Sequence, residues 1–167
     1  MDEIKSHERS VREFMAKDPF SRSNLTHMEI SLFCTALTHD SFSDEAHKFQ
    51  IPKDIESYER LEFLGDAVVE LSACEYIYLN SELCEGRMTS FKQEIVANKK
   101  ISERLIQKGI DIDSVMLVGH GHRDKRSKMN IIEDSMRADA FEAIVGAFYL
   151  LYGMDEAKRI VHDVLLT

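Results

Sequence analysis

The sequence predicts an all-α domain, and three observations lead there. Apolar residues recur at spacings of three and four over long stretches, while the clean alternation of a half-buried strand is absent. Only 7 Gly and 2 Pro occur in 167 residues, so turns are few and long helices are expected. Two segments, around residues 58–79 and 132–152, are hydrophobic over most of their circumference and are expected to lie at the centre of the fold.

Each element follows in order. Residues 3–16 read as a short amphipathic helix whose apolar positions are Ile4, Val11, Phe14 and Met15. Residues 28–38 read as a second helix. Residues 40–54 are polar, contain Pro52 and read as a loop. From 54 to 79 the pattern is strongly helical, with Leu61, Leu64, Val68 and Leu71 forming one apolar stripe. Residues 86–108 read as one or two helices stopped by Gly109. The stretch 111–130, which contains GHGHRDKRSKMN, reads as a glycine- and charge-rich loop. Residues 132–152 form another long apolar helix ending at Gly153, and 155–166 form the last.

Composition bounds the function classes. A chain of 167 residues fits one domain with a sizeable core. With 44% hydrophobic and 31% charged residues it has the balance of a soluble globular protein. No stretch approaches the roughly 18–20 apolar residues of a membrane span. The N-terminal MDEIKSHERSVREF is charged throughout and has no signal-peptide core, so a cytoplasmic protein without membrane contact is expected. Three cysteines, Cys34, Cys74 and Cys84, show no CxxC spacing and sit among apolar neighbours, which predicts buried thiols. The formal net charge of −9 by itself argues against a nucleic-acid binder, because phosphate is ordinarily met by a basic surface. Metal ions between carboxylates and phosphate, or a local basic patch, would offset that acidity.

The informative stretch is residues 58–71, YERLEFLGDAVVEL. On a helix Glu62 and Asp66 are four apart and point the same way, with Glu59 about a turn earlier. The second long helix repeats the arrangement in ADAFEAIVGAFYL, where Asp139 and Glu142 are three apart in a run otherwise nearly free of polar side chains. Burying bare carboxylates is costly unless a cation or a good partner compensates. Gly65 and Gly146 each cost about 1 kcal/mol relative to alanine within a helix. Close packing of the two helices at the level of the acids would account for both. Four facing carboxylates suit hard divalent cations with oxygen ligands, Mg²⁺ above all, and such a site suits phosphodiester hydrolysis. The bland alternative is that these acids form ordinary ion pairs with Arg60, Arg137 and nearby lysines.

The segment ERLEFLGDA at 59–67 resembles the signature of the ribonuclease III catalytic domain. Three further matches stand in the family's order: ALTHDS at 36–41, EGRMTSFKQEIVAN at 85–98 and ADAFEAIVGAFYL at 138–150. Together these cover about residues 33–152. The resemblance implies the ribonuclease III endonuclease-domain helical fold, a homodimer with two active sites, and cleavage of double-stranded RNA as part of RNA processing. It implies that Glu62, Asp66, Asp139 and Glu142 bind Mg²⁺, with Mn²⁺ as a substitute, and that Asp66 and Glu142 are catalytic. Supporting roles fall to Glu59, Glu85 near the catalytic valley, and Asn98. The family's usual double-stranded RNA-binding domain has no counterpart within residues 1–167, which are expected to form a single catalytic domain.

Arg123, Lys125, Arg126 and Lys128 crowd one short stretch and are candidate RNA contacts, gripping a duplex through phosphates and shape; a solvated loop is the plainer reading. The doublets His39-Asp40 and His162-Asp163 resemble those of HD-type phosphohydrolases, but His39 is expected to be structural, closing the second helix. Finally, Leu61, Phe63, Leu64, Val68, Val69 and Leu71 surround much of the signature helix. Either a dimer interface or complete burial within a monomer would cover them.

Overall fold

The computed structural model describes residues 2–49, 55–127 and 129–167. Its elements are α1 (Asp2–Met15), α2 (His27–Ala36), α3 (Asp40–Lys48), α4 (Glu59–Asn80), α5 (Glu85–Val96), α6 (Asn98–Gln107), α7 (Asp134–Tyr152) and α8 (Met154–Val161), with a 3₁₀ turn at His120–His122 and a final wide turn at His162–Leu166. Among the described residues there are no strands, only two isolated bridges, Thr38 to Leu117 and Arg123 to Asn130. No helix among the described residues is long and apolar enough to cross a membrane.

The core is built around α7. Met136 through Ala138 and Ala140 through Phe148 are buried, so this helix is covered on every side. Its most extensive partner is α4, followed by α6 and α8. An aromatic cluster ties it to the first third of the chain: Phe148 packs against Phe33 at 5.3 Å and against Phe20 at 6.0 Å between ring centroids. Helix ends follow local chemistry. Thr26 and Glu29 form a reciprocal capping box at the start of α2. Gly109 and Gly153 adopt φ values of 67° and 86° just beyond α6 and α7, a left-handed backbone that glycine enters without a Cβ clash.

Several expectations are corrected. The polar stretch 40–49 is largely helical. Its Phe42 and Ala46, four apart, bury one side of α3 against Leu117, and the His39 ring caps its start by accepting a hydrogen bond from Ser41 N at 3.1 Å. His39 therefore opens α3 rather than closing α2. The remainder of the expected loop, with Pro52, lies outside the described residues. The signature helix starts at Glu59, later than the apolar pattern suggested. The region 85–107 is two helices, broken at Ala97 where the backbone turns extended. Within 111–130, Ile112 and residues 115–118 are buried core, so only the second half is a surface loop. Cys74 and Cys84 are exposed rather than buried, because both lie on the uncovered side of the α4–α5 region.

Candidate active site

The contact between α4 and α7 is close because of two glycines. A Cβ on Gly65 would stand 1.7 Å from the Glu142 carbonyl oxygen, and one on Gly146 would stand 2.4 Å from the Leu61 carbonyl oxygen. Each helix thus seats its backbone in a notch of the other, and only residues without side chains allow it. Glu142 is next to one notch and Glu62 next to Leu61 at the other, so the same approach that needs the glycines brings the acids face to face.

Glu62, Asp139 and Glu142 each offer a carboxylate oxygen such that all three lie within 4.8 Å of one another. Among the described residues, none of these three, nor Asp66, takes part in an ion pair. Arg137, the obvious candidate partner on α7, points elsewhere: it makes a two-pronged bridge to Asp113 at 2.7 Å and a bond to Asp134 at 3.2 Å. The ordinary ion-pair explanation of the acids is therefore not what this arrangement shows.

The electrostatics record the crowding. Glu142 is only 5% exposed. Burial, then the charges of Asp66, Asp139, Glu62 and Glu70, push its carboxyl up to about 8. Burial raises Glu62, with Asp139, Glu59 and Asp66 adding to it. Asp139 is raised by burial, and the nearby Tyr58 side chain acts in the opposite sense. Asp66 is raised by partial screening from water and by Glu70, against the pull of Lys92. Tyr58 itself is raised far above the usual phenol range, first by burial and then by Asp139 and Glu62, so its hydroxyl stays a donor.

Asp66 does not belong to the three-acid cluster. It stands one turn further along α4, where Glu70 is bridged to Lys92 of α5 at 2.8 Å, and it acts on Glu142 and Glu62 through its charge. Glu59 opens α4, accepts a hydrogen bond from the Ser57 hydroxyl at 3.0 Å and adds negative potential to Glu62. Glu85 opens α5, where it accepts from the Thr89 hydroxyl at 3.1 Å and lines an apolar groove with Leu71, Tyr78 and Met88. Asn98 is the exposed first residue of α6. Glu85 is not drawn into the acid cluster.

The basic stretch divides. Arg123 bridges to Glu3 of α1 at 2.6 Å and donates to the Val118 carbonyl at 2.9 Å, so it fastens the loop to the body. Lys125 and Arg126 are exposed on a turn organised by Asp124, which accepts from the backbone of Arg126 and Ser127. Lys128 lies outside the described residues. His39 serves as the helix cap already described, and among the described residues no histidine joins a metal-competent cluster, which removes the support for an HD-type site.

Sequence reasoning assigned no role to Tyr58 or to the Glu70–Lys92 bridge. A signal for the first was present: an aromatic side chain immediately ahead of a helix start, four residues before Glu62, is placed to return toward the same face.

The comparisons bear on this arrangement. A family model described as Ribonuclease-III-like matches residues 29–167. Ribonuclease 3 of Onion yellows phytoplasma is 35% identical over 147 residues, covering 88% of this chain and 57% of that protein. Ribonuclease 3 of Pseudothermotoga lettingae is 37% identical over 133 residues, covering 79% of this chain and 53% of that protein. The chain thus spans little more than half the length of these relatives. The nuclease domain of ribonuclease III from Campylobacter jejuni superposes with a TM-score of 0.65 at 25% identity, covering 98% of this chain and 99% of that one; it was described for flexibility in a region involved in dimer formation.

Proposed function

The chain belongs to the ribonuclease-III-like family, and on that footing we propose that it is a Mg²⁺-dependent endoribonuclease that hydrolyses double-stranded RNA during RNA processing. The observation that carries the reading is the convergence of Glu62, Asp139 and Glu142 within 4.8 Å with no ion-pair partner among the described residues. Hard oxygen ligands at this spacing fit a divalent cation, Mg²⁺ or in its place Mn²⁺, better than any arrangement of basic side chains. When bound, the cation supplies Lewis acidity for the attack of water on a phosphodiester.

The protein's own groups have separate tasks. Glu62 on one helix and Asp139 and Glu142 on the other provide the converging oxygens. Asp66 stands at the open end of the same valley, exposed and able to meet solvent or a second cation, and we assign it and Glu142 the catalytic roles. Glu59 adds to the negative potential from the other end. Glu85, outside the cluster, and Asn98 are assigned supporting roles. Lys125 and Arg126 remain as phosphate contacts, while Arg123 acts by holding their loop in place. Residues 1–167 are read as one catalytic domain.

A homodimer completes the reading. On α4, Leu61, Val68 and Val69 are buried in the core, but Phe63 is 83% and Leu71 50% exposed. A second copy of the chain would cover that apolar face, giving two acid valleys for two RNA strands.

The test is cleavage of a perfect RNA duplex in Mg²⁺ and in chelator. Glu142→Gln and Asp66→Asn should each abolish cutting while far-ultraviolet circular dichroism stays that of the parent. Full cleavage by both variants would refute the assignment.

A further inference from the structure

We propose that Glu45 of α3 is a positioning residue that clamps the stem of the 120–131 loop and so fixes where Lys125 and Arg126 meet RNA phosphate, an inference that rests on the duplex-RNA reading above. The loop leaves the core at Gly119, where its backbone lies directly against α3. The Gly119 N–H donates to the Ser41 hydroxyl at 3.0 Å, and a Cβ at this position would stand 2.6 Å from a Glu45 carboxylate oxygen. Glu45 then grips the next residue twice. One of its oxygens accepts the His120 backbone N–H at 2.9 Å, and the other meets His120 Nδ1 at 2.7 Å. The His120 side chain above all holds the Glu45 carboxyl below the usual carboxylate range, so both oxygens accept and the ring nitrogen donates.

Beyond His120 the chain enters a short stem. The His122 carbonyl accepts from the Ile131 N–H at 2.7 Å, and the Asp124 N–H donates to the Met129 carbonyl at 2.8 Å. Lys125 and Arg126 follow at its exposed end. On the other side of the stem, Arg123 bonds to Glu3 and to the Val118 carbonyl. A stem fastened at one point can still turn about it. Two fastenings on different helices, Glu45 on α3 and Glu3 on α1, fix where its tip points. An exposed ion pair adds little to global stability, so the consequence of the Glu45 grip is local order rather than resistance to melting. Cations ordered before binding lose less conformational freedom when they meet a phosphate.

The experiment measures the affinity of the whole chain for a perfect RNA duplex in chelator. Glu45→Asp keeps the charge but is one methylene too short to reach both His120 donors. It should bind roughly 3–10-fold more weakly, with thermal melting unchanged. Glu45→Gln loses the charge but keeps the reach, and should bind at least as tightly as the parent. A purely electrostatic role predicts instead a parent-like Asp variant, which overturns the proposal. With Lys125 and Arg126 both replaced by alanine, Glu45→Asp should cause no further loss, because the cations it positions are gone. An equal loss in both backgrounds overturns the proposal too. A parent that binds no duplex would remove the RNA reading and this inference together, whereas a binding parent beside an unaffected Glu45→Asp removes the inference alone. Should Glu45→Asp melt early, ¹⁵N relaxation of the unaltered chain supplies the second reading. The Lys125 and Arg126 amides are expected to be as rigid as those of α3, and fast motion at either would overturn the proposal equally.

Discussion

Among the described residues Glu142 is the one acidic side chain held almost wholly out of water, and its neighbours in the valley are acids too. In chelator this has a definite consequence for stability. Its carboxyl rises from about 4.5 in the unfolded chain to about 8 in the folded one. Between those values the folded state binds more protons than the unfolded state, so stability falls as pH rises. The contribution is fully present below the unfolded value and is lost through about pH 8; the raised Glu62, Asp139 and Asp66 act with the same sign. The metal-free protein should therefore melt lower at about pH 9 than at about pH 6, and Glu142→Gln should flatten that dependence. An identical slope in the variant would show that Glu142 is not the group responsible. Mg²⁺ should reverse the trend, since it binds the carboxylate form and displaces the proton.

At the scale of elements, the decisive contact is backbone against backbone. Gly65→Ala would drive a methyl to 1.7 Å from a carbonyl oxygen of α7, where no side chain can move aside. The helices must separate, and we expect a loss of about 3 kcal/mol or more in urea unfolding, at the upper end of overpacking effects. A loss below about 1 kcal/mol would mean the notch is not as tight as it stands. The glycine pair was legible in the sequence, because two mid-helix glycines beside two acid pairs call for close packing. Helix α3 was not legible. Its polar composition reads as a loop, and only burial of Phe42 and Ala46 on Leu117, a residue far along the chain, makes it helical. Phe42→Ala should accordingly cost about 3 kcal/mol and loosen α3 from the segment around Leu117. Hydrogen exchange localised to α3 would report it, and protection equal to the parent's would speak against tertiary stabilisation of this helix.

For the whole molecule, the proposed function makes two surfaces testable. Lys125 and Arg126 are the exposed Lys and Arg of the loop among the described residues, and replacing both with alanine should lower the slope of log affinity against log salt for duplex RNA by about 2 at most. The same change in a chain whose slope stays put would leave the loop a solvated one. The exposed Phe63 on α4 belongs to the other surface. Phe63→Asp should shift sedimentation from dimer to monomer while the melting profile of the isolated domain is kept. A parent that sediments as a monomer at all concentrations would defeat the dimer reading.

The sequence by itself determined the helical class, the central pair of helices and the placement of acids on both of them, because periodicity, glycine placement and a carboxylate pattern are local properties of neighbouring residues. Tertiary structure alone decided which of those acids meet. Glu62, Asp139 and Glu142 converge, while Asp66 faces the Glu70–Lys92 bridge one turn away. It also decided that Arg123 is tied to Glu3. These are contacts between residues distant in the chain, set by how two helices cross at a pair of glycines, and no spacing within either helix encodes the distance across the gap.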